Sequence, residues 1–276
     1  GSIAIGSNAG TSNNNGFATN AIAIGVAAGY INQGYATVAI GNQAGMSNQA
    51  IGNGGGVAIG IQAGMSTQGP YGVAVGLLAG GYAQGFAGIA IGEYAAANNQ
   101  GTYAIAMGLY AGSNAQTTNA IAIGNGAGSN TEGNSAVAIG YQAGLSTLGA
   151  GSIAIGSNAG TSNNNAIATN TVAIGAQAGY FNQAQNTIAI GTQAGSNSQA
   201  YYSVAIGNQA GQSNQQNQSV AIGNAAGQSN QSNISVAIGS QAGKSNQGYG
   251  ARPQRSFAVS TAWLMCFALT RCRRAA

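Results

Sequence analysis

The chain has 276 residues, of which 48 are Gly and eight are charged, with no His. The groups most enzymes use to move protons or hold metals are nearly absent, so no catalytic residue, cofactor site or metal site is assigned and the protein is not expected to be an enzyme. Glu93, Glu132 and Lys244 are the charged residues before position 252, and five arginines beyond it produce the net charge of +4. The region ahead of them lacks the cationic footprint that phosphate neutralisation needs, which excludes nucleic acid as its partner.

In chain order the first element is Ile3, Ala4, Ile5, Gly6, two variable residues, Ala9 and Gly10, and close copies of it follow to Gly243. The unit glycines are Gly6, Gly25, Gly41, Gly60, Gly76, Gly92, Gly108, Gly124, Gly140, Gly156, Gly175, Gly191, Gly207, Gly223 and Gly239, giving eleven steps of 16 residues and three of 19. A fixed period of this size predicts a stacked solenoid. The expected fold is all-β, a parallel β-solenoid of about 15 coils spanning residues 1–250.

Each unit opens with a predicted strand, because aliphatic residues three and one before the Gly alternate with period two. The expected structural core is the second of these columns: Ile5, Ile24, Ile40, Ile59, Ile123, Ile139, Ile155, Ile174, Ile190, Ile206, Ile222 and Ile238. The residue between the two aliphatics is always Ala, which predicts a second packed face, and with so thin a core that face is expected to meet neighbouring subunits. A homotrimer is the expected assembly.

After the strand comes a corner, where Gly6, Gly41, Gly124, Gly207 and Gly239 are expected to supply positive φ or close backbone approach. Eight residues after the unit Gly, eleven units carry Gln, among them Gln33, Gln49, Gln100, Gln199 and Gln247. In register, that column is expected to form an amide ladder capping a polar edge. The three longer units place their extra residues near 15–20, 51–56 and 165–170, as bulges from one edge, and residues 1–15 recur unchanged at 151–165.

Aromatic residues avoid the strand columns. Tyr35, Tyr71, Tyr103, Tyr201 and Tyr202 fall ten or eleven residues after their unit Gly and are candidate contacts for a host protein or glycan. Residues 239–245 end in Gly, Lys, Ser but are one residue short of a phosphate-binding loop. The grammar stops at residue 251, and 251–276 is expected to be a separate basic and apolar tail, poorly ordered, holding Cys266 and Cys272. Without an initiator Met, the chain reads as a piece of something longer.

Residues 203–207, 219–223 and 235–239 spell Ser, Val, Ala, Ile, Gly, and the other units are close variants. This resembles the head repeat of YadA-like trimeric autotransporter adhesins; similar repeats occur in phage and large-virus fibre proteins. The resemblance implies a left-handed parallel β-roll of three chains that attaches to a host or surface. It implies an extracellular place, anchored to the outer membrane in the full-length protein, or on a virion, with the repeat array itself not contacting membrane. The unit departs from the family's in being longer and in carrying a Ser/Asn/Gln run in its second half. Alternatives are a viral attachment fibre, or an ice-binding or purely structural solenoid; scattered Thr residues weigh against ice.

Overall fold

A computed structural model describes residues 1–11, 19–52, 54–161 and 168–250. Among them there is no helix, and the chain winds as a parallel β-solenoid. One face is a single sheet of fifteen parallel strands, taken in chain order from Ile3–Ile5 to Val236–Ile238, which bound fourteen turns. Pairing is in register throughout: Val204 lies on Val220, Ala205 on Ala221 and Ile206 on Ile222. At an inter-strand spacing of about 4.8 Å the stack is on the order of 70 Å long.

The other face is built from strands of two or three residues that sequence patterning did not single out. The triplets Ser213–Gln215, Ser229–Gln231 and Ser245–Gln247 belong to a five-stranded parallel sheet. Their middle residues Asn214, Asn230 and Asn246 have φ of 53°, 54° and 53°. Asn adopts this left-handed region more readily than most residues, which accounts for its recurrence there. Two smaller parallel sheets, Thr67–Gln68 with Ala83–Gln84 and Ala115–Gln116 through Thr147–Leu148, continue this face earlier in the chain.

Between the faces lies an interior of Ala. The strand alanines and the corner alanines, for example Ala205 and Ala210, are fully buried along the stack. Between the strand and corner columns the close approach of the backbones leaves Ala as the regular occupant, and this overturns one expectation. Alternation is present, but it turns Ala inward and sends the aliphatic pair outward. The core is therefore the Ala columns, whereas Ile24, Ile40, Ile139, Ile155, Ile174, Ile190, Ile206 and Ile222 are half-buried on the outer surface. Ile5, Ile59, Ile123 and Ile238 are exposed there, Ile5 and Ile238 most because they end the stack.

The Gln column is also inside rather than along an edge. Gln199 Nε2 donates to the carbonyls of Ile188 at 2.8 Å and Ser203 at 3.3 Å, and Gln215 repeats the pattern on Val204 and Ser219. Each Gln thus staples the short strands to the backbone of the large sheet. Contact between successive glutamines is secondary, as in Gln100 to Gln116 at 3.2 Å. The staple satisfies carbonyl groups that the Ala core cannot reach.

At the first corner two constraints coincide. Gly207 has φ of +127°, and a Cβ there would lie 2.6 Å from the Gly223 carbonyl oxygen in the next coil. Gly6, Gly41, Gly124 and Gly239 occupy the same position with φ between 116° and 133°. The long unit around residues 51–56 leaves the sheet register untouched, since Val38 still pairs with Val57. Most of the other two insertions, and all of the tail at 251–276, lie outside the described residues.

Candidate interaction surfaces

Three surfaces follow from this winding. The outer side of the large sheet presents two columns of Ile and Val from end to end of the stack. Parallel sheets are normally covered on both faces, and a contiguous exposed aliphatic strip of this length is uncommon on a separate chain.

Along the corner leading into that sheet stand the tyrosines singled out by sequence. Tyr35, Tyr71, Tyr103, Tyr201 and Tyr202 are all exposed. The structure joins Tyr71 to Tyr103 through Phe86, with ring centroids 5.5 and 5.6 Å apart and edge-to-face planes at 82°. Such pairs add about 0.5–1.5 kcal/mol to simple burial. Tyr35 stands apart from this run; its hydroxyl accepts a long contact, 3.5 Å, from the Asn20 amide.

The opposite corner carries a column that the sequence reading treated as two arbitrary residues after the unit Gly. Tyr94 and Tyr110 stack there at 5.0 Å with planes 9° apart. Farther along, the same position holds Gln177, Gln193 and Gln209, linked amide to amide at 3.0 and 3.1 Å. The amide ladder expected of the inner Gln column is found here, on the surface. The available signal was the recurrence of Gln and Tyr two residues after the unit Gly, as at Gln43, Gln62, Tyr94, Tyr110 and Gln177; the left-handed backbone there, φ 54° at Tyr94 and 55° at Gln177, holds successive side chains in register.

Inside, two described units depart from the Gln staple, one through the buried Leu148 and one through Glu132. Glu132 takes the Gln position, is fully buried, and accepts from Gln116 Nε2 at 3.1 Å. Desolvation pushes its pKa up to about 9, with the Gln116 bond pulling it down. The carboxyl is therefore protonated at neutral pH, and with Oε1 left without a hydrogen-bond partner it fills the Gln position without repeating the staple. It is sealed from solvent. Among the described residues no three His, Cys, Asp or Glu side chains gather to hold a metal, and no helix is long and apolar enough to cross a membrane.

Comparison with known families gives one match, to the YadA head domain repeat, over residues 83–111, 101–127, 125–143 and 183–210. No curated protein and no solved structure matches the chain. The matched residues include strands of the large sheet, inner Gln positions and corner glycines already described. The profile and the in-register parallel winding agree: residues 83–143 and 183–210 are similar to YadA head domain repeats and lie within the parallel β-solenoid.

Proposed function

We propose that this chain forms the rod or head of a trimeric, surface-exposed adhesin that attaches a cell to a host or another surface. The observation that carries the reading is the two-column aliphatic strip along the large sheet. Three copies arranged around an axis would bury it, as in the YadA head family. Covering the exposed half of each Ile or Val is worth roughly 1 kcal/mol. A dozen coils then outweigh an association cost of about 4–15 kcal/mol.

In such a bundle the short-strand face and the tyrosine corner remain toward the surroundings, where Tyr71, Phe86 and Tyr103 offer contact area at low entropic cost. The Ala interior leaves no room for a substrate, so the work is mechanical and adhesive. The full-length protein would be held at the outer membrane, with the repeat array projecting outward. An ice-binding role is less well supported, because the regular flat face carries Ile and Val rather than hydroxyl columns.

Light scattering of the purified chain at micromolar concentration tests the assembly. Three times the 26.7 kDa chain mass is expected, and a monomer would overturn it. Adhesion of beads coated with the chain to cultured cells tests the role.

A further inference from the structure

The second sheet and the corner after it enclose a groove along the last five coils. One recess of about 390 Å³ is lined by Asn214, Gln216, Asn230, Ser232, Asn233 and Tyr249. Sharing Gln216 with it, a second of about 230 Å³ reaches Asn182, Ser198 and Ala200. A third of about 320 Å³ continues between Tyr201, Tyr202, Asn217 and Gln218. None of the lining residues comes from the aliphatic strip, so packing of that strip against other copies leaves the groove open.

Both walls are held by bonds from coil to coil. On one wall the Asn214 amide donates to Asn230 Oδ1 at 3.1 Å, and Asn230 donates to Asn246 at 3.0 Å. On the other, Asn217 Oδ1 accepts the Tyr201 backbone N–H at 3.1 Å, and Asn233 Oδ1 accepts that of Asn217 at 3.1 Å. Ser219 and Ser235 fix the corner between them by donating to the Gln216 and Ser232 carbonyls, both at 2.6 Å. Polar groups fixed in advance lose little entropy when a ligand binds.

We propose that this groove binds a linear, uncharged polysaccharide lying parallel to the rod axis, a reading that rests on the adhesive role above and names its ligand class. The walls repeat amide donors and acceptors about every 4.8 Å, comparable to the rise of one sugar along an extended glycan. Amides pair with adjacent sugar hydroxyls in both directions. Tyr201 and Tyr249, 47 % and 75 % exposed at the two ends, offer faces for the C–H side of a pyranose ring.

Charge selects against the alternatives. Between residues 133 and 250 the one charged side chain is Lys244, and it does not line the groove. Sulfated and sialylated glycans would meet no cation. An extended peptide would find no free strand edge, because the groove crosses strands whose backbone groups already bond from coil to coil.

The test is isothermal titration of the full chain with linear neutral oligosaccharides (β-1,3-glucan, β-1,4-glucan and β-1,4-mannan hexamers), with hyaluronan as the anionic comparison. At least one neutral hexamer is expected to bind, with little change between 50 and 500 mM salt. Tyr201→Ala and Asn217→Asp, which keeps the bond to the Tyr201 N–H, should each weaken binding about tenfold or more. Asn125→Asp, in an earlier coil outside the groove, should leave it unchanged. Absence of binding to all three neutral hexamers, preference for hyaluronan, or equal affinity in all variants overturns the proposal. So does failure of an Asn217→Cys thiol to label in the assembled protein when Cys266 and Cys272 are both replaced by Ser. Beads that adhere equally well to cells stripped of surface glycans would sink the polysaccharide and leave the adhesive reading standing. Loss of adhesion with glycan binding intact would do the reverse.

Discussion

Gln116 donates from Nε2 to Glu132 Oε2 at 3.1 Å in the interior of the rod, at the one described inward Gln position where an ionisable side chain replaces the amide. The Glu132 pKa stands near 9 against an ordinary 4.5, so between those values the folded state holds a proton that the unfolded chain releases. That contribution to stability is complete below about pH 4.5, declines as pH rises through the window, and is lost above about pH 9. Urea unfolding at pH 5 and pH 8.5 should show lower stability at the higher pH. Glu132→Gln should abolish most of the difference and raise stability at pH 8.5 by on the order of a few kcal/mol. A pH-independent midpoint in the natural chain would contradict the buried carboxyl.

Ala205 is fully buried, stacked on Ala189 and Ala221 in adjacent coils. Ala205→Leu should destabilise the chain by about 1–3 kcal/mol or more, since extra methylenes have no void to enter. Differential scanning calorimetry reads this directly, and an unchanged melting temperature would mean that the interior is not Ala-tight.

Ile206, one residue along the same strand, points the other way and is half-buried. Ile206→Asp should leave the far-ultraviolet circular dichroism of the chain near that of the parent while lowering its mass in light scattering. The charge meets water in the separate chain and buries unpaired only on assembly. Collapse of secondary structure with monomeric chains would instead place Ile206 inside the coil.

Gly207→Ala combines a positive φ with a Cβ 2.6 Å from the Gly223 carbonyl oxygen. Strain of this kind costs on the order of 1–3 kcal/mol before the steric clash is counted. The substitution should lower the urea midpoint more than the same change at Gly248, where a Cβ would meet nothing within 4 Å.

The period, the strands and the parallel stacking were legible because each residue type recurs at its own position. Gly207 and its equivalents announced their corner by being Gly without exception. The inside and outside of the strand were not legible. Alternation separates Ile206 from Ala205 but does not say which faces inward; that depends on the width of the coil, which the distance between the two sheets sets. The Gln199 column was read as a surface ladder because amides usually seek water, whereas its partners are backbone carbonyls visible only after folding. The groove from Asn182 to Tyr249 was hidden for a similar reason. Its walls come from columns that look like neutral filler until the left-handed residues Asn214 and Asn230 turn the chain and align them.

Bonds between coils run to the coil on either side, and in the large sheet they recur in the same register. Removing a block of sixteen residues therefore deletes one layer and brings together two surfaces that already fit, shortening the rod by about 4.8 Å. Three residues more or fewer between the inner Gln and the next strand are absorbed without loss of register, as the pairing of Val38 with Val57 shows, whereas a change within a strand or corner would misalign its neighbours. Slippage during copying of such DNA would thus change the reach of the protein in discrete increments, leaving its cross-section the same.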